Sequence, residues 1–184
     1  KPDENELENL RPGLNIFTYF HHASCPVMTY AVKDGKVTAI AYEVYRTKDG
    51  LLMLKPMSII AGRLGAFFSA LFLLYPGEVI KGKDKDGNDI EYRTLSPEGQ
   101  EKWLWVKANY PNIGIFKDIL KGVKTVVLGG GVSGAEMARA LLEMGAGVTI
   151  IEKFQATVDR LNNTLKKEFA GRVEAIQVDN IEEY

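Results

Sequence analysis

With 184 residues, 46% of them hydrophobic, the chain suits one ordinary domain or two small ones and holds enough apolar side chain to bury a core. A net charge of −1 with no basic block or stripe excludes a nucleic-acid footprint. The single Cys25 excludes an internal disulfide, fits a reducing, cytoplasmic setting and reads as a half-buried bystander, while the polar opening Lys-Pro-Asp-Glu-Asn-Glu is unlike a signal peptide.

Residues 1–75 alternate strand and helix patterns, which argues for a parallel α/β layer rather than a helix bundle. Leu14 to Phe20 read as a buried strand, and Pro26 opens a short helix that Gly35 closes. Val37 to Tyr45, rich in β-branched and aromatic residues, read as a second strand ended by the turn Lys48-Asp49-Gly50. Met57 to Tyr75 predict a long helix after Pro56. Its apolar run, Leu64 to Tyr75, is shorter than the about 20 residues a membrane span needs. It predicts instead a buried or interface helix, apolar on more than one side.

Residues 76–116 differ in character and read as an insert. Pro76-Gly77 breaks the helix, and Val79 to Leu95 predict a hairpin around the tip Lys83-Asp-Lys-Asp-Gly-Asn-Asp89. The tip superficially resembles a calcium loop. However, Gly87 is misplaced relative to Asp84 and Asp86 and no closing Glu follows, so a solvated turn and no metal are expected. Ser96-Pro97-Glu98 starts a helix that carries Trp103, Leu104, Trp105 and Val106. Packing of these tryptophans against the hairpin is expected, with a partner contact as the alternative.

Residues 117–184 carry the most informative pattern. Val126 to Leu128 read as a buried strand leading into Gly129, Gly131 and Gly134, the spacing G-x-G-x-x-G. Gly129 permits the tight turn, Gly131 lets a pyrophosphate approach the backbone, and Gly134 lets the next helix sit close. That helix opens near Val132 and Ser133, whose free N–H groups and positive dipole end suit a phosphate. Ala135, Ala138, Leu141 and Leu142 form its core stripe, and Gly145 stands where a C-cap belongs. A second strand, Val148 to Glu152, ends in an acid about 20 residues past the glycines, where a carboxylate binds the adenosine ribose hydroxyls. Such a carboxylate repels a 2′-phosphate, so NAD is favoured over NADP, with Lys153 offsetting part of that preference. A helix bearing Val158, Leu161, Leu165 and Phe169, then a strand from Arg172 to Val178, complete a β-α-β-α-β half. The fold class expected is therefore α/β: a Rossmann-like parallel half-unit over 117–184, joined to a smaller α/β segment over 1–75.

Several stretches resemble the alanine dehydrogenases and the related nucleotide-binding part of proton-translocating transhydrogenases. They are Asn15-Ile-Phe-Thr-Tyr-Phe-His21, Val37-Thr-Ala-Ile-Ala-Tyr-Glu43, Leu54-Lys-Pro-Met-Ser-Ile-Ile-Ala-Gly-Arg63, and Val126 through Glu152. Asp159-Arg-Leu to Phe169-Ala-Gly-Arg-Val173 continue the likeness, which spans most of the chain except the insert near 76–111. The resemblance implies a substrate domain and an NAD domain, and oxidative deamination of a small amino acid to a 2-oxo acid. It places an acid/base or carbonyl-polarising histidine at His21, a substrate-binding lysine at Lys1 and a cofactor contact at Ser58. His22, next to His21, points elsewhere. Arg63 matches an arginine whose plain reading is an interdomain ion pair. This chain departs from the pattern with Ile59 where an acid is common, and with a Lys-Pro-Asp start where the family has Lys-Glu-Pro. The family's essential arginine falls before Lys1, and its second Rossmann half, with a catalytic aspartate, falls beyond Tyr184.

These readings give an NAD-dependent amino-acid dehydrogenase, a truncated or divergent member acting with a complementary chain or as a homo-oligomer. The alternative is a non-catalytic NAD(H)-binding or assembly module. A flavoprotein of the disulfide-reductase kind ranks last, because no Cys-x-x-x-x-Cys pair is present.

Overall fold

The computed structural model describes residues 4–48, 50–84, 86–112 and 114–180. By compactness the chain divides into two units, Lys1–Ser58 and Ile59–Tyr184. The changes of character expected near residues 75 and 116 follow composition along the chain, and both fall inside the second unit.

In the first unit, β1 (Asn15–Thr18) and β2 (Thr38–Ala41) pair in parallel, with Asn15 opposite Thr38 and Thr18 opposite Ala41. The crossover between them is α1 (Pro26–Asp34), with Pro26 in the first turn, where a missing N–H goes unnoticed. Phe20, Met28 and Val32 form the buried centre, with Ile16 and Ala39 packed against it. β1 is shorter than expected and is not a buried strand. Only its Ile16 face is covered, and Phe17 on the other face is 48% exposed. β2 likewise stops at Ala41, and Tyr42–Val44 turn into a 3-10 helix, because β1, its partner, has already ended at Thr18.

The helix α2 (Lys55–Leu74) starts at the close of the first unit and runs into the second. Pro56 lies in its first turn, which tolerates proline, so the helix begins before the expected Met57. Gly62, Ala66, Phe67, Ala70 and Leu71 recur at helical spacing and are buried. At Gly62 a Cβ would overlap the carbonyl oxygen of Ser133 and come within 3.1 Å of the Met137 nitrogen, so hydrogen alone lets the two backbones meet there. The apolar run expected to be too short to cross a membrane lies within a longer helix. The helix has 20 residues and is long and apolar enough by length and composition. Its buried stripe lies in the core cluster of the second unit.

A hairpin follows, β3 (Pro76–Lys83) against β4 (Asp89–Leu95), antiparallel with a register shift between Pro76 and Val79. At its tip Asp84 accepts hydrogen bonds from the backbone N–H of Asp86 and Asn88 and from the Asn88 side chain, so its carboxylate is spent on the turn. The next helix, α3 (Pro97–Asn109), is capped by Ser96, whose hydroxyl accepts from the Gly99 N–H. The tryptophans pack differently from the expectation. Trp103 lies on Phe68 of α2 at 4.8 Å between ring centroids, and Trp105 faces Phe116 at 6.1 Å. The hairpin is met by the Gln100 side chain, which donates to the Leu95 carbonyl at 3.0 Å.

The nucleotide-type half is β5 (Lys124–Leu128), α4 (Val132–Glu143), β6 (Gly147–Glu152), α5 (Gln155–Glu168) and β7 (Val173–Gln177). The strands are all parallel in the order β5-β6-β7, with Val126 opposite Thr149 and Ile151 opposite Ile176. Ala138, Leu141 and Leu142 of α4, and Val158, Leu161 and Leu165 of α5, pack on Val127, Val148, Ile150, Val173 and Ala175. β5 is one of the two edge strands of this sheet. Val126 and Leu128 are 55% and 64% exposed, so the strand expected to be buried is covered on one face only.

Candidate functional site

Parallel strands carry ligands at their carboxyl ends, because the helices that follow begin there and direct backbone N–H groups toward the sheet's rim. At the end of β5 the chain turns through Gly129, which takes φ +89°, a conformation that penalises any Cβ. Gly131 is the N-cap of α4. It has no side chain to satisfy the first-turn N–H groups of Val132, Ser133 and Gly134, and the space where its Cβ would stand is open. Gly134 is the tight contact: a Cβ there would overlap the Gly129 carbonyl oxygen. Val132 and Ser133 are exposed on this first turn. The result is a bare, positively polarised helix end with open space before it, which can hold an anionic diphosphate.

Glu152, at the end of β6, reaches back to this loop. One carboxylate oxygen accepts from the Gly130 N–H at 2.6 Å and the other from the Phe154 N–H at 3.0 Å. A Cβ on Gly130 would crowd the Leu161 side chain at 2.5 Å and stand 3.1 Å from that carboxylate, so any larger residue there must displace side chains around the loop. The Phe154 and Gly130 N–H groups, with help from the Arg160 guanidinium, hold the Glu152 carboxyl below the usual glutamate range. Arg160 itself donates to the Gly130 carbonyl at 3.0 Å, so it ties the loop from the other side. The sequence reading gave Arg160 no role, although it lies in the Asp159-Arg-Leu stretch that continues the family likeness. Lys153 is exposed beside Glu152.

A carboxyl whose folded value lies below its unfolded one stabilises the fold when ionised. That contribution is complete above the unfolded value and is lost as pH falls through the folded one. The Gly130 amide resonance is therefore expected to titrate with an inflection below about 4.3, the ordinary glutamate value. An NMR pH series with the inflection at or above that value would show that the clamp does not form.

In the first unit, His21 lies beyond the end of β1 in a left-handed conformation, φ 54°, with its ring exposed. His22 does point elsewhere: its ring stacks on buried Phe20 at 4.7 Å, and its Nδ1 lies 3.0 Å from the Thr29 hydroxyl. Cys25 is partly buried, at the N-cap of α1. Ser58 is half-buried on α2, four residues before Gly62. Lys1 lies outside the described residues. Arg63 makes a two-pronged pair with Glu143 of α4, at 2.6 and 3.3 Å. Arg63 and Glu143 fall in the two segments, 1–75 and 117–184, that the sequence reading separated, and both lie in the second compact unit.

A separate hollow lined by Lys124, Gly147, Lys166, Arg172 and Glu174 lies at the amino ends of the strands, away from the glycine loop. Ligand sites of open α/β sheets lie at the other end, and one Arg172 nitrogen already donates to the carbonyls of Leu142 and Ala146.

Comparison with known proteins bears on both halves of the chain. Residues 124–183 match the family described as pyridine nucleotide-disulphide oxidoreductase. An alanine dehydrogenase of Bacillus subtilis is 35% identical over 152 residues, 83% of this chain and 32% of that protein. One from Mycolicibacterium smegmatis is 30% identical over 186 residues, 99% of this chain and 40% of that protein. A solved L-alanine dehydrogenase superposes with a TM-score of 0.61 at 28% identity, over 99% of this chain and 41% of that one. A transhydrogenase from Sinorhizobium meliloti shares the fold, with a TM-score of 0.51 at 14% identity over 99% of this chain. The chain thus spans about two fifths or less of the length of these relatives.

Proposed function

We propose that this chain, a divergent member of the alanine dehydrogenase and transhydrogenase family of pyridine-nucleotide oxidoreductases, binds NAD(H) on its glycine loop. We propose further that it serves the oxidative deamination of a small amino acid to a 2-oxo acid. The observation that carries the reading is the uncapped start of α4, with Glu152 drawn onto the same loop. The N–H groups of Val132, Ser133 and Gly134 fit a diphosphate, and the space before Gly131 lets it approach. Glu152 keeps lone pairs for ribose hydroxyls, and its negative charge disfavours a 2′-phosphate. Bound NAD would supply the hydride acceptor.

On the substrate side, His21 presents an exposed imidazole, able to hold the carbonyl oxygen of a 2-oxo acid and to exchange its proton. Lys1 would take the substrate and Ser58 would reach the cofactor, as the resemblance implies. The family match over 124–183 is shared with flavoprotein reductases. The likeness to alanine dehydrogenases extends over nearly the whole chain, which supports the dehydrogenase reading over the flavin one. We also propose that the protein works in the cytoplasm as a homo-oligomer or beside a complementary chain. Exposed Leu73 and Leu104, with the open face of β5, support a covered surface in use.

The test is a fluorescence titration with NADH followed by alanine and NAD, watching for NADH formation. Turnover supports the enzyme, binding without turnover supports a nucleotide-binding module, and no binding by a folded protein sinks both. Glu152→Ala is expected to weaken NADH by about tenfold, ~1.4 kcal/mol, and to narrow the preference over NADPH. Equal NADH affinity in the variant would remove Glu152 from the site.

A further inference from the structure

The parallel register that sets Thr18 opposite Ala41 brings the residues just beyond both strands together at their carboxyl ends. There the Glu43 carboxylate accepts from the His21 N–H through Oε1 at 2.5 Å, and from the Phe20 N–H through Oε2 at 3.2 Å. On the other side of the same residue, the His21 carbonyl accepts from the Ser24 N–H at 3.0 Å and from the Ser24 hydroxyl at 3.0 Å. Tyr42, next to Glu43, sets its ring edge against Tyr19 at 4.9 Å, and the Tyr19 hydroxyl donates to the Met53 carbonyl at 2.6 Å. His21 is thus fixed through its backbone, while its ring stands exposed and roughly parallel to the Tyr19 ring, 6.4 Å away.

Left-handed backbone is uncommon for a residue with a Cβ, and persists where surrounding groups over-determine it. Two successive N–H groups bonded to one carboxylate are such a constraint. A neutral side chain of the same shape could replace only half of it, since a carboxamide has one accepting oxygen.

We propose that Glu43 is the positioning residue of His21: its carboxylate pins the backbone at Phe20 and His21 and so sets where the imidazole stands toward a bound 2-oxo acid or imine. The inference rests on the dehydrogenase reading for the use of His21, and on geometry alone for the clamp. Burial by itself would raise the Glu43 carboxyl. Hydrogen bonds from the backbone N–H groups of Glu43, His21 and Phe20 outweigh it and hold the carboxyl below the usual glutamate range, so it is ionised at neutral pH.

The test compares wild type, Glu43→Gln and Glu43→Ala by NMR of the labelled protein and by turnover of alanine with NAD. The amide protons of Phe20 and His21 are expected downfield in wild type. One should return toward ordinary values in Glu43→Gln and both in Glu43→Ala, where the His21 Cα shift should also leave its left-handed value. With turnover, kcat is expected to fall by up to about a hundredfold in Glu43→Ala and less in Glu43→Gln, with NADH affinity unchanged. Amide and Cα shifts unchanged in both variants would overturn the clamp, and an unchanged kcat would overturn its role in positioning. Should Glu43→Ala fail to fold, the isosteric Glu43→Gln still decides through its amides. A wild type that shows no turnover overturns the dehydrogenase reading and with it the positioning role, while the amide shifts still decide the clamp.

Discussion

Gly131→Asp is expected to abolish NADH binding while the protein stays folded. Gly131 is the N-cap of α4, its φ of −63° is open to any residue, and nothing stands where its Cβ would go. Aspartate is among the preferred N-caps, better than glycine by a few tenths of a kcal/mol, and its charge agrees with the helix dipole. The fold should therefore be as stable as before, or slightly more so. The same carboxylate would occupy the N–H groups meant for a diphosphate and repel it. Affinity should fall by at least about a hundredfold, ~2.8 kcal/mol, in a fluorescence titration beside wild type. A variant that binds NADH normally would show that the loop takes no diphosphate, and the cofactor reading would fall with it.

Gly134→Val should do the opposite: lose stability first, and binding as a consequence. A Cβ at Gly134 overlaps the Gly129 carbonyl oxygen, and the Val127 side chain lies 3.6 Å away, so α4 must back off from β5 or the turn at Gly129 must reshape. Overpacking of this kind costs ~1–3 kcal/mol, and a loss of ~2 kcal/mol lowers the midpoint of a domain this size by about 4–8 °C. Trp103 and Trp105 lie in the same compact unit as Gly134, so their fluorescence on heating reports the relevant transition. A midpoint equal to that of wild type would mean that the close approach of helix and turn is not real. Measured together, the two glycine variants separate a position kept open for a ligand from a position kept open for the fold.

How much of this was legible beforehand follows the range of the interactions involved. The fingerprint is local: strand, turn, helix and terminal acid lie within one short stretch, and each glycine's task follows from the backbone it must adopt. That half, including Gly145 beyond the end of α4 at φ +95°, took the expected form. The errors lie where a partner distant in sequence decides. Tyr42, Val44 and Tyr45 have strand propensity, yet β2 ended at Ala41 because its neighbour had ended. Phe17, Val126 and Leu128 read as buried because strands rich in apolar residues usually are; here one face of each strand lacks a covering layer. Glu43 carried no signal of its own, since an acid after a strand is ordinary until the register puts it beside His21. Arg63 was read as an ion-pairing residue, but its partner had no signal, because helix α2 delivers it to Glu143, 80 positions along the chain.

The bare backbone of α2 at Gly62 lies directly on the first turn of α4, against the Ser133 carbonyl and the Met137 nitrogen. The determinants of nucleotide affinity are thus not confined to residues 129–134. A side chain at Gly62, far upstream, would press on the Ser133–Gly134 peptide, which carries one of the first-turn N–H groups. In genetic terms the two positions form one target, so an inherited defect in cofactor use could map to Gly62, a position with no phosphate contact of its own.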